Sequence, residues 1–368
     1  MRQTVLITGG TGMVGRELLP KLCSDETVEN VIVLTRGTTQ SVLNSKIQVL
    51  HGDVCKPDLG LEEACRQSIA RHITTIIHGA SETSFHLELS EARAINVGGL
   101  ENVLRFALNC PCLKAFCHLS TVYVAGKRTG VIHENDLRHD CGFVNSYEQS
   151  KYEAEELLSS QAHRLPIAIV RLSTILGRST DGTVTKTCAI HSALRFFFHS
   201  LAPLVPGTDE SPVDLIALDY AAESVALLAL QQFVPGATWH ICGGSDAFSL
   251  AEFLEQTLQL FYQNRPAWRK RAIEKPAIVN LKTFELFVKS IEDLGDSVLK
   301  NSVFVLKSFA PQLAYPKLIS DVETQRALSS CGVTRPRIRD FYPKVIRFLL
   351  ENNWEAMPQA QASLSIRQ

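Results

Sequence analysis

The sequence predicts an α/β fold, a doubly wound parallel sheet joined to a smaller, mainly helical C-terminal region. Three observations predict it. Short β-branched apolar runs alternate with longer helix-like stretches through the first two-thirds of the chain. The first of these runs leads into a glycine-rich turn and then a helix. Beyond about Gly177 the alternation gives way to mainly helical periodicity.

The strand candidates, in order, are Val5–Thr8, Val31–Thr35, Ile47–Leu50, Thr75–His78, Ala115–Leu119, Ile167–Leu172 and Thr238–Cys242. Between them lie helix-like stretches at Met13–Cys23, Leu61–Arg71, Glu88–Leu108 and Ser146–Ala162. Strands that are apolar throughout belong to a parallel sheet covered on both faces. Such a sheet binds its ligands at the carboxyl ends of the strands. Further helices are expected at Ala189–Leu201, Asp219–Gln232, Leu250–Tyr262, Leu281–Ile291 and Ile338–Asn352. The expected organisation is a dinucleotide-binding domain over 1–176, completed by 213–244. A substrate-binding or lid region is expected over 177–212 and 245–358, with a flexible polar tail at 359–368.

A chain of 368 residues suits a core with one appended region better than three independent domains. Its formal net charge of −1 provides no field that would draw it to nucleic acid or an anionic membrane, and neither partner is expected. No run approaches the ~18 apolar residues of a spanning helix, and Met1-Arg2-Gln3 leads straight into the first strand. The ten cysteines are scattered through helix- and strand-like segments, which suits free thiols rather than a disulfide framework. The expected location is cytoplasmic. Cys110-Pro-Cys112 lacks a second Cys/His pair at zinc spacing, and no metal site is expected.

The turn after the first strand reads Thr8-Gly9-Gly10-Thr11-Gly12-Met13-Val14-Gly15, followed by Arg16. Glycines there allow a tight turn, close backbone approach to a pyrophosphate, and packing of the helix on the strand. The helix start then offers N–H groups and a positive dipole end. The motif predicts a Rossmann-type dinucleotide site. At the end of the second strand, Leu34-Thr35-Arg36-Gly37 has no carboxylate to bind a ribose 2′-hydroxyl, whereas Arg36 can pair with a 2′-phosphate. NADP(H) is therefore the expected cofactor, with Arg16 able to lie on the same side as Arg36. Asp53 and Val54 are placed at the adenine. Gly79, Ala80 and Ser81 leave room beside the nicotinamide ribose, and Asn96 bridges a helix to that strand.

Tyr147 and Lys151 lie four apart at a helix start, so phenol and ammonium share one face. An ammonium nearby favours phenolate and would lower the phenol's titration point, while the lysine can also hold ribose hydroxyls. In His118-Leu119-Ser120-Thr121-Val122-Tyr123, Thr121 is the expected hydrogen-bond donor to a substrate carbonyl, with Ser120 as the fallback. Thr121 and Tyr147 would together form a small oxyanion hole. His78, His118, His133 and His240 are expected to be structural. Cys117 is expected in the core, and a nucleophilic cysteine of the aldehyde-dehydrogenase type is not indicated.

These residues together resemble extended short-chain dehydrogenases. More narrowly, they resemble the branch that holds fatty acyl-CoA reductases and the terminal thioester reductase domains of carboxylic acid reductases and peptide synthetases. The resemblance covers most of residues 4–245. It is carried by Gly15-Arg16, by Gly52-Asp53 with Asp58-Leu59-Gly60-Leu61, by Ser120 to Gly126 and by Asn145 to Lys151. Gly177 to Gly182 and Val213 to Tyr220 continue it. It implies hydride delivery to an acyl thioester supplied by CoA or a separate carrier protein, and a possible homodimer through the two long helices. The same triad could instead act on a ketone, a secondary alcohol or a nucleotide sugar. A non-catalytic NADP sensor is a third reading, with less need of Tyr147 and Lys151. Phe196, Phe197, Phe198, Phe253, Phe261, Phe284 and Phe287 could line an acyl tunnel, although core packing is expected of most of them.

Overall fold

The computed structural model describes residues 2–37, 44–265, 275–294 and 297–357, so the tail at 359–368 lies outside the described residues. Seven strands form one parallel sheet: β1 Gln3–Thr8, β2 Val28–Thr35, β3 Ile47–His51, β4 Thr75–His78, β5 Ala115–Thr121, β6 Ile167–Leu172 and β7 Thr238–Ile241. Their order is β7-β6-β5-β4-β1-β2-β3. The strand order reverses between β1 and β4, which opens a crevice at their carboxyl ends.

Alternation along the strands builds two apolar layers. Val5, Ile7, Val31, Val33 and Val170 face α1 (Met13–Ser24) and α7 (Leu218–Leu230). Leu6, Ile32, Ile76, Phe116 and Ile167 face the opposite layer of α2 (Glu63–Ala70), α4 (Gly98–Ala107) and α5 (Ser146–Gln161). Period two along a strand sends neighbouring residues to opposite faces, which is why these runs are apolar throughout.

The stretch predicted as one helix over Glu88–Leu108 is two, α3 (Leu89–Asn96) and α4, separated at Val97. Gly99 explains the change of direction. A Cβ there would lie 3.3 Å from Val54 Cγ2, so α4 runs tight against the loop after β3. Asn96, at the break, is fully buried.

The C-terminal region contains α6 (Ala189–Phe198), α8 (Leu250–Asn264), α9 (Leu281–Leu294), α10 (Ser297–Phe309), α11 (Val322–Ser330) and α12 (Ile338–Glu351). Helices α10 and α11 are absent from the sequence expectation. Short two-stranded ladders pair 130–132 with 317–319, 174–177 with 215–217, 204–206 with 277–279, and 212–213 with 248–249, the first of them joining this region to the dinucleotide-binding part. Helices α9 and α10 contribute Phe284, Val288, Ile291, Val303 and Leu306 to an apolar cluster separate from the main core. No described helix is long and apolar enough to cross a membrane.

A buried polar network ties α5 to β6 and to the C-terminal region. Arg171 donates to Glu155 from Nε (3.0 Å) and Nη2 (2.7 Å), with both side chains almost fully buried. Ser120 donates to the same carboxylate, and Arg171 Nη1 reaches the Asp136 carbonyl and His240 Nε2. His240 Nδ1 lies 2.7 Å from the Ser320 carbonyl, and its backbone N–H donates to Thr324 Oγ1. Every charge here has several partners, the condition under which a buried ion pair is tolerated.

Candidate active site

The carboxyl ends of the strands open into a cavity of about 730 Å³. Its walls bring together Thr8, Gly9, Gly12, Met13, Val14 and Gly15 from the first loop. Gly79 and Ser81, Ser120 and Thr121, and Tyr147 complete this part of the wall. Gly10, Thr11, Arg16 and Ala80 support the loop without lining the cavity.

Gly9, at φ +74°, passes so close to the next loop that a Cβ would sit 2.5 Å from the Gly79 carbonyl carbon. A Cβ on Gly15 would come within 2.3 Å of the Gly9 oxygen. Thr8 fastens the two loops: its Oγ1 lies 2.7 Å from His78 Nδ1 and accepts the Ala80 N–H. Gly12 caps α1 without a side-chain bond, and the first turn carries no acid. The helix N–H groups are left to an external anion, as a pyrophosphate requires.

Arg36 is exposed at the end of β2. Its charge reaches the Cys55 thiol, where it opposes the upward push of burial and of Asp53. Arg36 and Asp53 thus both act on Cys55, and neither lines the cavity. Asp53 accepts the Cys55 N–H at 2.9 Å and so caps its turn. Val54 packs in the core layer and against Gly99. Arg16 donates from Nε to the Thr11 carbonyl at 2.7 Å.

At the other end, Tyr147 and Thr121 line the same wall, with the Thr121 hydroxyl acting to hold the phenol down. Phe85 meets the Tyr147 ring edge-on, with centroids 5.5 Å apart. Thr121 also accepts the Tyr123 N–H. Ser120 points the other way, to Glu155 at 2.5 Å, because neighbours on a strand face opposite sides. Its hydroxyl is committed to the ion-pair network. Asn96 spends its amide on the Glu82 carbonyl (3.1 Å) and Ser150 (2.9 Å), and accepts the Glu82 N–H. It holds the loop after β4 against α5.

Lys151 is buried beneath the cavity wall. Its Nζ donates to the Leu119 carbonyl at 2.8 Å and lies 3.0 Å from His118 Nε2. Burial pulls the ammonium down to about 8, with Glu155 opposing. The expectation that Lys151 lowers the phenol needs correction. Burial pushes Tyr147 up to about 12; the Thr121 hydroxyl acts downward and the Glu148 charge upward. The phenol thus stays protonated at neutral pH, the form required of a proton donor.

The chain belongs to the male sterility protein family. That NAD-binding family's model matches residues 7–225, which places the chain among the extended short-chain dehydrogenases, as an oxidoreductase with a nicotinamide dinucleotide cofactor. Among curated relatives, an isonitrile lipopeptide synthase of Streptomyces coeruleorubidus is 28% identical over 64% of this chain. A glycine betaine reductase of Emericella nidulans is 24% identical over 95% of it. The chain spans only 17% and 28% of the lengths of those two proteins. Among solved structures, the terminal R domain of a myxalamid PKS-NRPS pathway matches with a TM-score of 0.78 at 23% identity, covering 97% of this chain and 93% of that one. A UDP-glucuronic acid 4-epimerase of Bacillus cereus, in complex with NAD, matches at 0.65 with 15% identity, covering 96% of this chain and all of that one.

The glycine cradle and the uncapped start of α1 fit the family's dinucleotide. Several functional contacts escape the sequence reading. His118 and His78 are buried beside Lys151, which pulls both rings down together with burial. Glu148 faces the cavity, accepts from Val144 N, Asn145 and Gln312, and is pushed by burial up to about 7. Its only sequence signal is adjacency to Tyr147. Cys188 and His191 also meet at the wall, and the signal was a Cys-x-x-His spacing at a helix start.

The Glu148 threshold carries a stability prediction. Its folded value lies above the ordinary 4.5, so its favourable contribution is present in full below about pH 4.5 and is lost as pH rises through 7. Glu148→Gln does not titrate. Its stability relative to the parent should rise between pH 5 and pH 8, by on the order of 3 kcal/mol. Denaturant titrations at the two pH values check this; a pH-independent difference would reject it.

Proposed function

We propose that the chain is an NADPH-dependent reductase of acyl thioesters, acting on an acyl group bound to CoA or to a carrier protein. The observation that carries this reading is the course of the cavity. From Thr121 and Tyr147 it continues into an apolar extension lined by Leu194, Phe197, Leu204, Phe253, Leu306 and Phe309. A hydrocarbon chain fits such walls, and a sugar nucleotide would leave its hydroxyls unpaired there. Of the seven phenylalanines named from sequence, Phe197 and Phe253 line this space. Phe198 and Phe261 meet edge-to-face and both pack against Trp354, and Phe196, Phe284 and Phe287 belong to the α9–α10 cluster. The relatives, the terminal R domain of a PKS-NRPS pathway among them, agree with thioester chemistry.

NADPH supplies the hydride. Thr121 and Tyr147 hydrogen-bond the substrate carbonyl oxygen where negative charge develops, and Tyr147 can pass its proton to it. Collapse of the hemithioacetal gives aldehyde and free thiol, and a second reduction gives alcohol. Lys151, buried against the Leu119 carbonyl, would hold the ribose hydroxyls once its Nζ turns to the cofactor. Arg36 supplies the contact to a 2′-phosphate, and the Asp53 side chain supplies an acceptor for the adenine amine.

Incubation with NADPH and a panel of acyl-CoA and acyl-carrier thioesters, followed by mass analysis, tests the reading. Aldehyde or alcohol with stoichiometric thiol is expected, and sugar nucleotides should be inert; the reverse pattern would reject it. The cofactor assignment has its own test. Arg36→Asp should weaken NADPH by about 10- to 100-fold, the loss of a charge-assisted contact plus repulsion, and leave NADH nearly unchanged. Equal losses for both, measured by fluorescence titration, would remove Arg36 from the phosphate.

A further inference from the structure

The cavity holds a second reactive pair outside the Thr121–Tyr147–Lys151 group. Cys188 occupies the N-cap position of α6, is half-buried, and lines the cavity that Thr121 and Tyr147 also line. Its Sγ lies 3.2 Å from Nδ1 of His191, three residues on. The imidazole is held in one orientation. Its Nε2 is 2.6 Å from the Leu176 carbonyl, and because a carbonyl can only accept, Nε2 carries a proton. Nδ1 is therefore the atom that can exchange a proton with the sulfur. At rest Nδ1 accepts the Cys188 backbone N–H at 3.0 Å, a bond it releases when it takes the thiol proton.

The surroundings favour the thiolate. The sulfur accepts the backbone N–H of His191 in the first turn of α6, at the positive end of the helix. Burial acts to raise this thiol, but the His191 charge and the hydrogen bonds from His191 and from the Ile190 N–H bring it below its ordinary value. Cys110 and Cys117 show the contrast, since burial pushes both up to about 12. The sulfur is also near the chemistry. Its charge is felt at the Tyr123 phenol, and the Tyr123 N–H donates to Thr121 Oγ1 at 3.3 Å.

We propose that Cys188, with His191 as its base, is a nucleophile that takes the acyl group of a thioester onto its own sulfur. The inference rests on the reading that acyl thioesters enter this cavity. Sγ attacks the thioester carbonyl carbon while Nδ1 takes the thiol proton. The tetrahedral adduct then breaks its bond to the carrier sulfur, and that thiol leaves with the proton from Nδ1. One thioester is exchanged for another, and nothing is oxidised or reduced. The acyl group then stays in the cavity after its carrier thiol has departed.

The test uses the full chain with octanoyl-CoA in the absence of nicotinamide cofactor, quenched in acid and mapped by peptide mass. One octanoyl group on Cys188 is expected. Cys188→Ser, which keeps the cap, should carry none at that position. His191→Gln, which keeps an N–H for Leu176, should be acylated about tenfold or more slowly, the usual lower range for loss of a general base. Thermal melting of both variants guards against unfolding as the cause, and His191→Asn provides a second substitution should Gln fail to fold. Recovery of an unmodified Cys188 peptide would overturn the proposal, as would equal acylation rates in parent and His191→Gln. Aldehyde formation from octanoyl-CoA and NADPH is measured alongside. Aldehyde without a Cys188 adduct removes this proposal and leaves the reductase reading standing. An adduct without aldehyde does the opposite.

Discussion

Tyr147→Phe is expected to bind NADPH as tightly as the parent while turning over about 10²- to 10⁴-fold more slowly, the usual worth of a positioned proton donor. The substitution removes one oxygen from a ring held by Phe85, and the helix that carries it is anchored elsewhere, through Ser146 to the Leu87 carbonyl and through Lys151. The loss should therefore appear in kcat rather than in cofactor affinity. Adding Thr121→Val should cost much less than its effect in the parent, because the two hydroxyls line one wall and would serve one oxygen. Stopped-flow hydride transfer and NADPH fluorescence titration separate the outcomes. Undiminished transfer would take the phenol out of its assigned role.

The second large effect is on stability. Glu155→Ala should destabilise the fold by about 3–5 kcal/mol, because it strands the Arg171 guanidinium among partners that need its charge balanced. Both side chains are within 2% of full burial, and Ser120 loses its acceptor as well. The carboxylate is also what holds the Lys151 ammonium up against burial. The surviving folded protein should show its lysine-dependent activity limb shifted to lower pH. Urea unfolding checks the first expectation and a pH–rate profile the second. A cost below 1 kcal/mol would show that solvent or a rearranged side chain replaces Glu155.

Most of the sheet was legible because a strand covered on both faces writes its burial into consecutive residues. Thr75–His78 and Ile167–Leu172 fall at the predicted bounds for that reason. The glycine loop was legible because close approach leaves no other residue type possible at Gly9 and Gly15. What escaped depends on contacts between distant segments. The break at Val97 comes from the meeting of Gly99 and Val54. Helix α11 buries little beyond Thr324 and Leu328, too few apolar positions to set a period, and the Val298, Val303 and Val305 of α10 read equally well as strand. In the site, Tyr147 and Lys151 were visible from their spacing, but the direction in which the phenol shifts was not. That sign is set by burial under Phe85 and by Glu148, both products of folding.

The two parts of the C-terminal region are held by different means. Helix α11 is joined to the sheet through Thr324, Glu134 and His240, a set of polar contacts that fails as a whole if one member is altered. Helices α9 and α10 rest on their own oily cluster, which tolerates exchange of one side chain for another of similar volume. The segment bordering the far end of the cavity can therefore be redrawn by substitution while the machinery at its mouth stays rigid. On the proposed reading, selectivity for chain length is free to drift in this architecture without loss of the reaction.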